Sequence, residues 1–293
     1  MPITRDRLRD LFGIKTRGVG LYTVTTEPRD GYVVEHLDLL IDGVHVRGIL
    51  TRPDTPGKHP AILYGHSHGG RYDIGADELL DGRDYLLDPL GPVFARQGYV
   101  TLCIDMPVFG MRASQSETSA AKALLWYDRA LICEMLCDQQ AALTYLISRD
   151  DVDHMHVGAF GISMGCFLSY WLAAVDERIT AVAHLCCFAD LRTMVRHGSH
   201  DGHGIYLVVP GLLDEADAGS IGALIAPRPQ LVGIGEADKL TPIEAFELAW
   251  HEMAIAYAGY DTLSLVREPG VGHQETPRMR QATLEFFRKY LKR

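Results

Sequence analysis

Apolar and polar positions along the 293-residue chain follow two periods, and the places where one gives way to the other outline the fold. Residues 33–41 and 44–51 alternate with period two and are joined by Asp42-Gly43, a pair that favours a two-residue hairpin, so the chain is expected to start its sheet with an antiparallel pair. Short apolar runs then recur at 60–64, 100–104, 155–160, 179–186, 230–234 and 262–266, each consistent with a buried strand. Helical spacing fills the gaps between them. Between 106 and 150, for example, Leu124, Leu125, Leu131, Ile132, Met135, Leu136, Leu143 and Leu146 form a stripe expected to face the core. The first residues read as a short helix, with Thr4 as N-cap, Leu8, Leu11 and Phe12 on one face, and Gly13 as the stop.

Strands alternating with helices predict an α/β architecture: a mostly parallel, eight-stranded sheet with an antiparallel N-terminal hairpin and helices on both faces. A chain of this length, 47% hydrophobic and without a repeat or a Gly/Ser/Pro linker, is expected to form one domain. Within it, residues 1–30 are a helix with an extension, and 192–217 is an irregular excursion walling a pocket. The net charge of −10 argues against a nucleic-acid partner. No signal sequence or run of about 20 apolar residues suggests a membrane. Six cysteines lying mostly in apolar segments fit buried free thiols and a cytoplasmic location; self-association is left open.

The stretch with the most chemical content is Gly158-Ala-Phe-Gly-Ile-Ser-Met-Gly165. A serine hydroxyl is a poor nucleophile, and an enzyme using one presents it on a sharp strand-to-helix turn within reach of a base. Gly161 and Gly165 would supply room for that turn, and 166–175 continues as a helix without Pro or Gly. Two further groups follow in order. Asp238 lies just past the 230–234 strand, and His273 sits in the Gly-rich loop after the last strand, giving the order Ser163, Asp238, His273. Asp190, past the preceding strand, is the alternative acid, and His251 is a nearby histidine on a predicted helix. The loop Gly65-His66-Ser67-His68-Gly69-Gly70 after the 60–64 strand fits an oxyanion hole, with the His68 amide first choice, the Ser67 amide second, and the Met164 amide as their partner. Arg71, Tyr72, Trp126, His203 and Tyr206 are candidate substrate-binding residues. His197, His200 and His203 invite a metal reading, but glycines forbid the usual helical ligand pair, so neither a metal nor a cofactor is expected.

These motifs resemble the α/β-hydrolase superfamily, and within it the dienelactone hydrolase and acetyl xylan esterase-like branch of bacterial esterases. The order serine, acid, histidine is the superfamily's. The likeness extends to Arg149-Asp-Asp-Val-Asp153, to 221–229 with its Ala-Pro-Arg-Pro entry to the acid-bearing strand, to His203-Gly-Ile-Tyr206 and to Val209-Pro-Gly-Leu212, and is continuous from about residue 31 to the C-terminus. Cys166 departs from it where many members carry a glycine, and Ser67 replaces the glycine of the usual His-Gly pair. The resemblance implies hydrolysis of small carboxylic esters through an acyl-enzyme. Lactone hydrolysis, a prolyl oligopeptidase-like peptidase and a catalytically silent binding protein are the competing readings.

Overall fold

In a computed structural model describing residues 2–292, the strands form one nine-stranded sheet of order β1-β2-β3-β5-β4-β6-β7-β8-β9. The strands are β1 (Val19–Arg29), β2 (Tyr32–Ile41), β3 (Val44–Arg52), β4 (His59–Gly65), β5 (Val100–Ile104), β6 (Val152–Ile162), β7 (Ala181–Leu185), β8 (Gln230–Gly235) and β9 (Leu263–Glu268). The helices are α1 (Arg5–Leu11), α2 (Glu78–Asp81), α3 (Leu90–Arg96), α4 (Glu117–Leu125), α5 (Leu131–Ser148), α6 (Met164–Val175), α7 (Leu191–His197), α8 (Leu212–Glu215), α9 (Ala218–Ala223), α10 (Ile243–Ala256) and α11 (Pro277–Leu291). β1, β2 and β3 form an antiparallel meander and β3 pairs antiparallel with β5; every pairing from β5 to β9 is parallel.

The strand beyond the expected eight is β1, in the stretch read as an extension. Nearly every residue of it is exposed, so it has no apolar face for periodicity to reveal. Its backbone ladder to β2 and its β-branched residues hold it at the sheet edge. The Asp42-Gly43 turn matches expectation: φ is 48° and 79° at the two positions, the left-handed pair that a two-residue hairpin between Ile41 and Val44 requires.

The parallel strands are buried on both sides, and alternate residues feed two apolar layers. On one side Ala61, Leu63, Leu102 and Val157 pack with α5 and α6. On the other Ile62, Tyr64 and Phe160 pack with Phe94 of α3 and Phe287 of α11. Each fully buried Leu or Phe contributes about 1.5–3 kcal/mol, so the layers fix the strand ends from which the loops spring. Helix α1 begins at Thr4, whose hydroxyl accepts from the Arg7 amide at 3.2 Å. It docks by stacking Phe12 on Trp171, with ring centroids 4.8 Å apart. Arg5 and Arg9 donate to the Ala174 and Val175 carbonyls at 2.9 and 2.8 Å, capping the C-terminus of α6.

The excursion from 192 to 217 is more regular than expected. It carries most of α7, two 3₁₀ turns (Ser199–Gly202 and Ile205–Leu207) and α8. Asp190 caps α7 by accepting from the Thr193 amide at 2.7 Å, and Gly198 ends it at φ 74°. Asp217 reaches back to the Leu191 and Arg192 amides at 2.7 and 3.1 Å, tying the two ends of the excursion together. The six cysteines are buried free thiols. Among the described residues, no helix is long and apolar enough to cross a membrane.

Candidate active site

Ser163 falls between the end of β6 and the start of α6 with φ 60° and ψ −123°, a conformation that side chains rarely adopt and that costs roughly 1–3 kcal/mol. Three glycines make the turn possible. A Cβ on Gly161 would run into the carbonyl of Gly165, one on Gly165 into the carbonyl of Gly65, and one on Gly65 would lie 3.2 Å from the Gly165 Cα. The backbone is held by Ser163 N donating to Leu185 O at 3.1 Å and Cys166 N donating to Ser163 O at 2.9 Å. Ser163 is largely buried, with 9% of its surface exposed.

Asp238 and His273 meet. His273 Nδ1 lies 2.7 Å from Asp238 Oδ2, while Asp238 Oδ1 accepts from the Leu240 amide at 2.8 Å. The two loops are locked to each other, with Ala237 N donating to Val271 O at 2.8 Å and Gly235 too close to Val271 and Gly272 for a side chain. An ionised Asp238 accepting at Nδ1 leaves the lone pair of a neutral imidazole on Nε2. That atom is buried and makes no hydrogen bond among the described residues. The alternative acid, Asp190, serves as a helix cap instead, and His251 is exposed on α10.

Two features at this centre were not read from the sequence. Cys186 and Cys187 follow β7 with φ of 53° and 152°. The Cys187 thiol neighbours Asp238 and the hydroxyls of Thr241 and Ser163, so Ser163 and Asp238 border one side chain. Burial first, then the Asp238 charge, pushes that thiol far above its usual range, which keeps it protonated and a poor nucleophile. Among the described residues, Cys186, Asp238 and His273 are the group whose metal-ligating atoms come within 4.8 Å of one another. The Asp238–His273 hydrogen bond already joins two of these atoms.

The loop after β4 separates the two oxyanion candidates. The Ser67 amide donates to both oxygens of Glu78, at 3.1 and 3.0 Å, and the Ser67 hydroxyl to Glu78 Oε1 at 3.0 Å. Its carbonyl lies 3.0 Å from Nδ1 of the buried His66, whose Nε2 accepts from the Met106 amide at 3.2 Å. Ser67 is therefore committed to holding the loop, a correction to its second-choice role as an oxyanion donor. Burial pushes Glu78 above its ordinary value, opposed by the bond from Tyr64 and the charge of Arg83. Burial likewise lowers His66 to about 4, so it is neutral at pH 7. The amides left for a developing oxyanion are those of His68 and of Met164, the first residue of α6, whose N–H has no intrahelical acceptor.

The His68 ring is gripped as firmly as its neighbour's backbone. Nδ1 accepts from the Gly70 amide at 3.0 Å, so the proton sits on Nε2, 2.6 Å from Glu117 Oε2. Tyr72 donates to the same oxygen at 2.7 Å, and the Tyr206 amide donates to Oε1 at 2.8 Å. Burial opposes ionisation of Glu117, but the bonds from His68, Tyr72 and Tyr206 outweigh it and hold the carboxyl below its ordinary value. Tyr206 stacks on His68 at 5.4 Å, with Tyr72 and Phe109 against its edge. No sequence signal singled out Glu117: an acid in the first turn of a helix reads as a complement to the helix dipole.

Of the other proposed substrate-binding residues, His203 comes to the centre. Its Nε2 is 2.9 Å from Leu240 O, it meets Phe167 edge-on, and burial holds it below the usual imidazole range. Arg71 stands beside the oxyanion loop but pairs with Asp73 at 2.7 Å. Trp126 does not belong to the site. It follows the last residue of α4 at 88% exposure, about 13 Å along the helix from Glu117, so its place in the pocket lining is withdrawn. The loop histidines diverge: His197 faces Glu244 at 3.3 Å and His200 faces Asp201 at 3.6 Å, while His203 turns to Leu240.

A parallel sheet with a serine elbow, and with acid and histidine on the loops after β8 and β9, defines the α/β-hydrolase class. No family model matches the chain. It is 36% identical over 282 residues to the "Putative hydrolase YtaP" of Bacillus subtilis (strain 168), with 94% of each chain covered. The chain therefore belongs to the same family as that putative hydrolase, and its fold is that of the α/β-hydrolases. In fold it is similar to methylesterase BT1017 (TM-score 0.74, 24% identity), covering 97% of this chain and 62% of the methylesterase's length. It is also similar to the acetyl xylan esterase from Paenibacillus sp. R4 (TM-score 0.69, 17% identity), covering 98% and 93% of the two chains.

Proposed function

We propose that the protein hydrolyses small carboxylic esters through a covalent acyl-enzyme on Ser163. His273 Nε2 takes the Ser163 proton as the oxygen attacks the ester carbonyl, and Asp238 holds the imidazole in the required tautomer and stabilises its charged form. The oxyanion receives the amides of His68 and Met164. Collapse breaks the ester C–O bond, and His273 protonates the departing alcohol. His273 then deprotonates a water that attacks the acyl group and returns the proton to Ser163. The observation that carries this reading is a strained serine at the end of β6 together with an imidazole, on the loop after β9, that is fixed at Nδ1 and free of hydrogen bonds at Nε2. The names of the fold neighbours, a methylesterase and an acetyl xylan esterase, point the same way.

The test is turnover of p-nitrophenyl acetate by the wild type and by Ser163→Ala. The variant is expected to fold normally and lose activity by at least a thousandfold. Wild-type turnover in Ser163→Ala, or no labelling of folded wild type by a fluorophosphonate, would refute the assignment.

A further inference from the structure

We propose that Glu117 is a positioning residue for ester hydrolysis: its buried carboxylate joins the oxyanion loop, through His68, to the pocket wall, through Tyr206. The inference rests on Ser163 being the ester-hydrolysing nucleophile. Three donors from two separate segments, the loop after β4 and the 3₁₀ turn at Tyr206, converge on this one group: His68 Nε2 at 2.6 Å, Tyr72 Oη at 2.7 Å and Tyr206 N at 2.8 Å. Glu78 is the nearest parallel, holding the Tyr64 hydroxyl and the Ser67 amide and hydroxyl, but three other buried carboxylates work differently. Asp105 pairs with Arg47, Asp176 with Arg178 and Glu275 with Arg280, each an arginine contact within the scaffold. Glu117 instead holds an imidazole, a phenol and a backbone amide, all at the site. Space has been made for it as well, because a Cβ on Gly204 would overlap Glu117 Oε1.

The chemical requirement is an acceptor with no donor of its own. With Gly70 N–H on Nδ1, the His68 ring must present N–H to Glu117, and the Tyr206 amide is always a donor. A glutamine can turn its carbonyl to His68 and Tyr72 or to Tyr206, but not to both; either way its NH₂ faces an N–H. The imidazole then loses a partner, or the 3₁₀ turn carrying Tyr206 moves away and takes the ring stacked on His68 with it. Both changes displace the His68 peptide, whose amide is one of the two oxyanion donors. A shift of about 1 Å at such a donor is worth roughly a hundredfold in rate.

The experiment compares Glu117→Gln, Glu117→Asp and wild type by ester kinetics and by affinity for an aryl trifluoromethyl ketone, which forms a tetrahedral adduct bearing an oxyanion. Glu117→Gln is expected to lower kcat about ten- to hundredfold with KM changed less than about threefold, and to weaken the ketone by a factor that follows kcat/KM. Glu117→Asp keeps the charge but withdraws it from at least one donor, and is expected to shift the same quantities in the same direction. Should the glutamine variant not fold, the aspartate variant carries the test. A purely structural role would lower the melting temperature and leave kcat and ketone affinity of the folded variant at wild-type values, which would overturn the inference. Wild-type turnover unaffected by Ser163→Ala would instead overturn the function on which it rests.

Discussion

Acid will weaken this protein through an imidazole remote from the oxyanion loop. His184, on β7, is fully buried; Nε2 accepts from Gln230 Nε2 at 2.9 Å, and Nδ1 lies 3.4 Å from Cys166 Sγ. Burial drives it from its ordinary value of 6.5 down to about 3. The unfolded chain therefore binds a proton that the folded chain refuses between those values, so stability falls as the pH drops from about 7 toward 3. At pH 5 the unfolded imidazole sits about 1.5 units below its own pKa, and at about 1.4 kcal/mol per unit this group removes roughly 2 kcal/mol of folding free energy relative to pH 8. Other groups titrate in the same range. His66, lowered to about 4, acts in the same sense, while the raised Glu78 and Asp217 act in the opposite one. Urea unfolding of wild type and of His184→Gln at pH 8 and pH 5 isolates the contribution, because the other groups cancel in the double difference. The wild type should lose about 2 kcal/mol more than the variant on acidification. Equal losses in the two proteins would refute the claim that this imidazole is held neutral.

Gly165→Ala would place a methyl against the Gly65 carbonyl, 2.8 Å from its carbon, forcing the start of α6 away from the end of β4. Because those two ends carry the Met164 and His68 amides, kcat/KM should fall about a hundredfold while stability falls by only about 1–3 kcal/mol; Gly20→Ala, into open space, is the control expected to change neither. Asp105→Asn should lower the urea-derived stability by about 3 kcal/mol. The buried carboxylate accepts from Ala76 N at 2.7 Å, Met111 N at 2.8 Å and Arg47 Nε at 3.0 Å, and most of the loss should persist in 1 M salt because the carboxylate itself is fully buried.

The parts of the site that were legible in the sequence are those set by backbone sterics. Gly161 and Gly165 flank Ser163 because no other residue fits, and Asp42-Gly43 turns the hairpin because both positions need a left-handed backbone. Such constraints act between residues close in the chain, so they leave a local pattern. The order of acid and histidine was legible for a related reason, since each stands on a loop just past a strand that the apolar runs mark. β1 was not legible, because it is held by backbone hydrogen bonds rather than by a buried face. Trp126 misled for the converse reason: a large aromatic on a helix is usually buried, but here the helix C-cap turns it to solvent.

What could not be read is the polar support around Ser163, and the reason is sequence separation. Glu78 holds Ser67 across 11 positions, and Glu117 holds His68 across 49 and Tyr206 across 89. In one dimension each of these acids is an ordinary helix-start residue. Only the folded chain shows that water has been removed from around them and that loop amides and hydroxyls have taken its place. The same burial that makes an unpaired carboxylate costly makes these bonds demanding of geometry, since every donor must be met by the one group present. Ser67 shows the consequence. The side chain that departs from the usual glycine provides a hydroxyl for Glu78, and the amide beside it turns to the same carboxylate, so of the two proposed oxyanion donors in this loop only the His68 amide is left uncommitted.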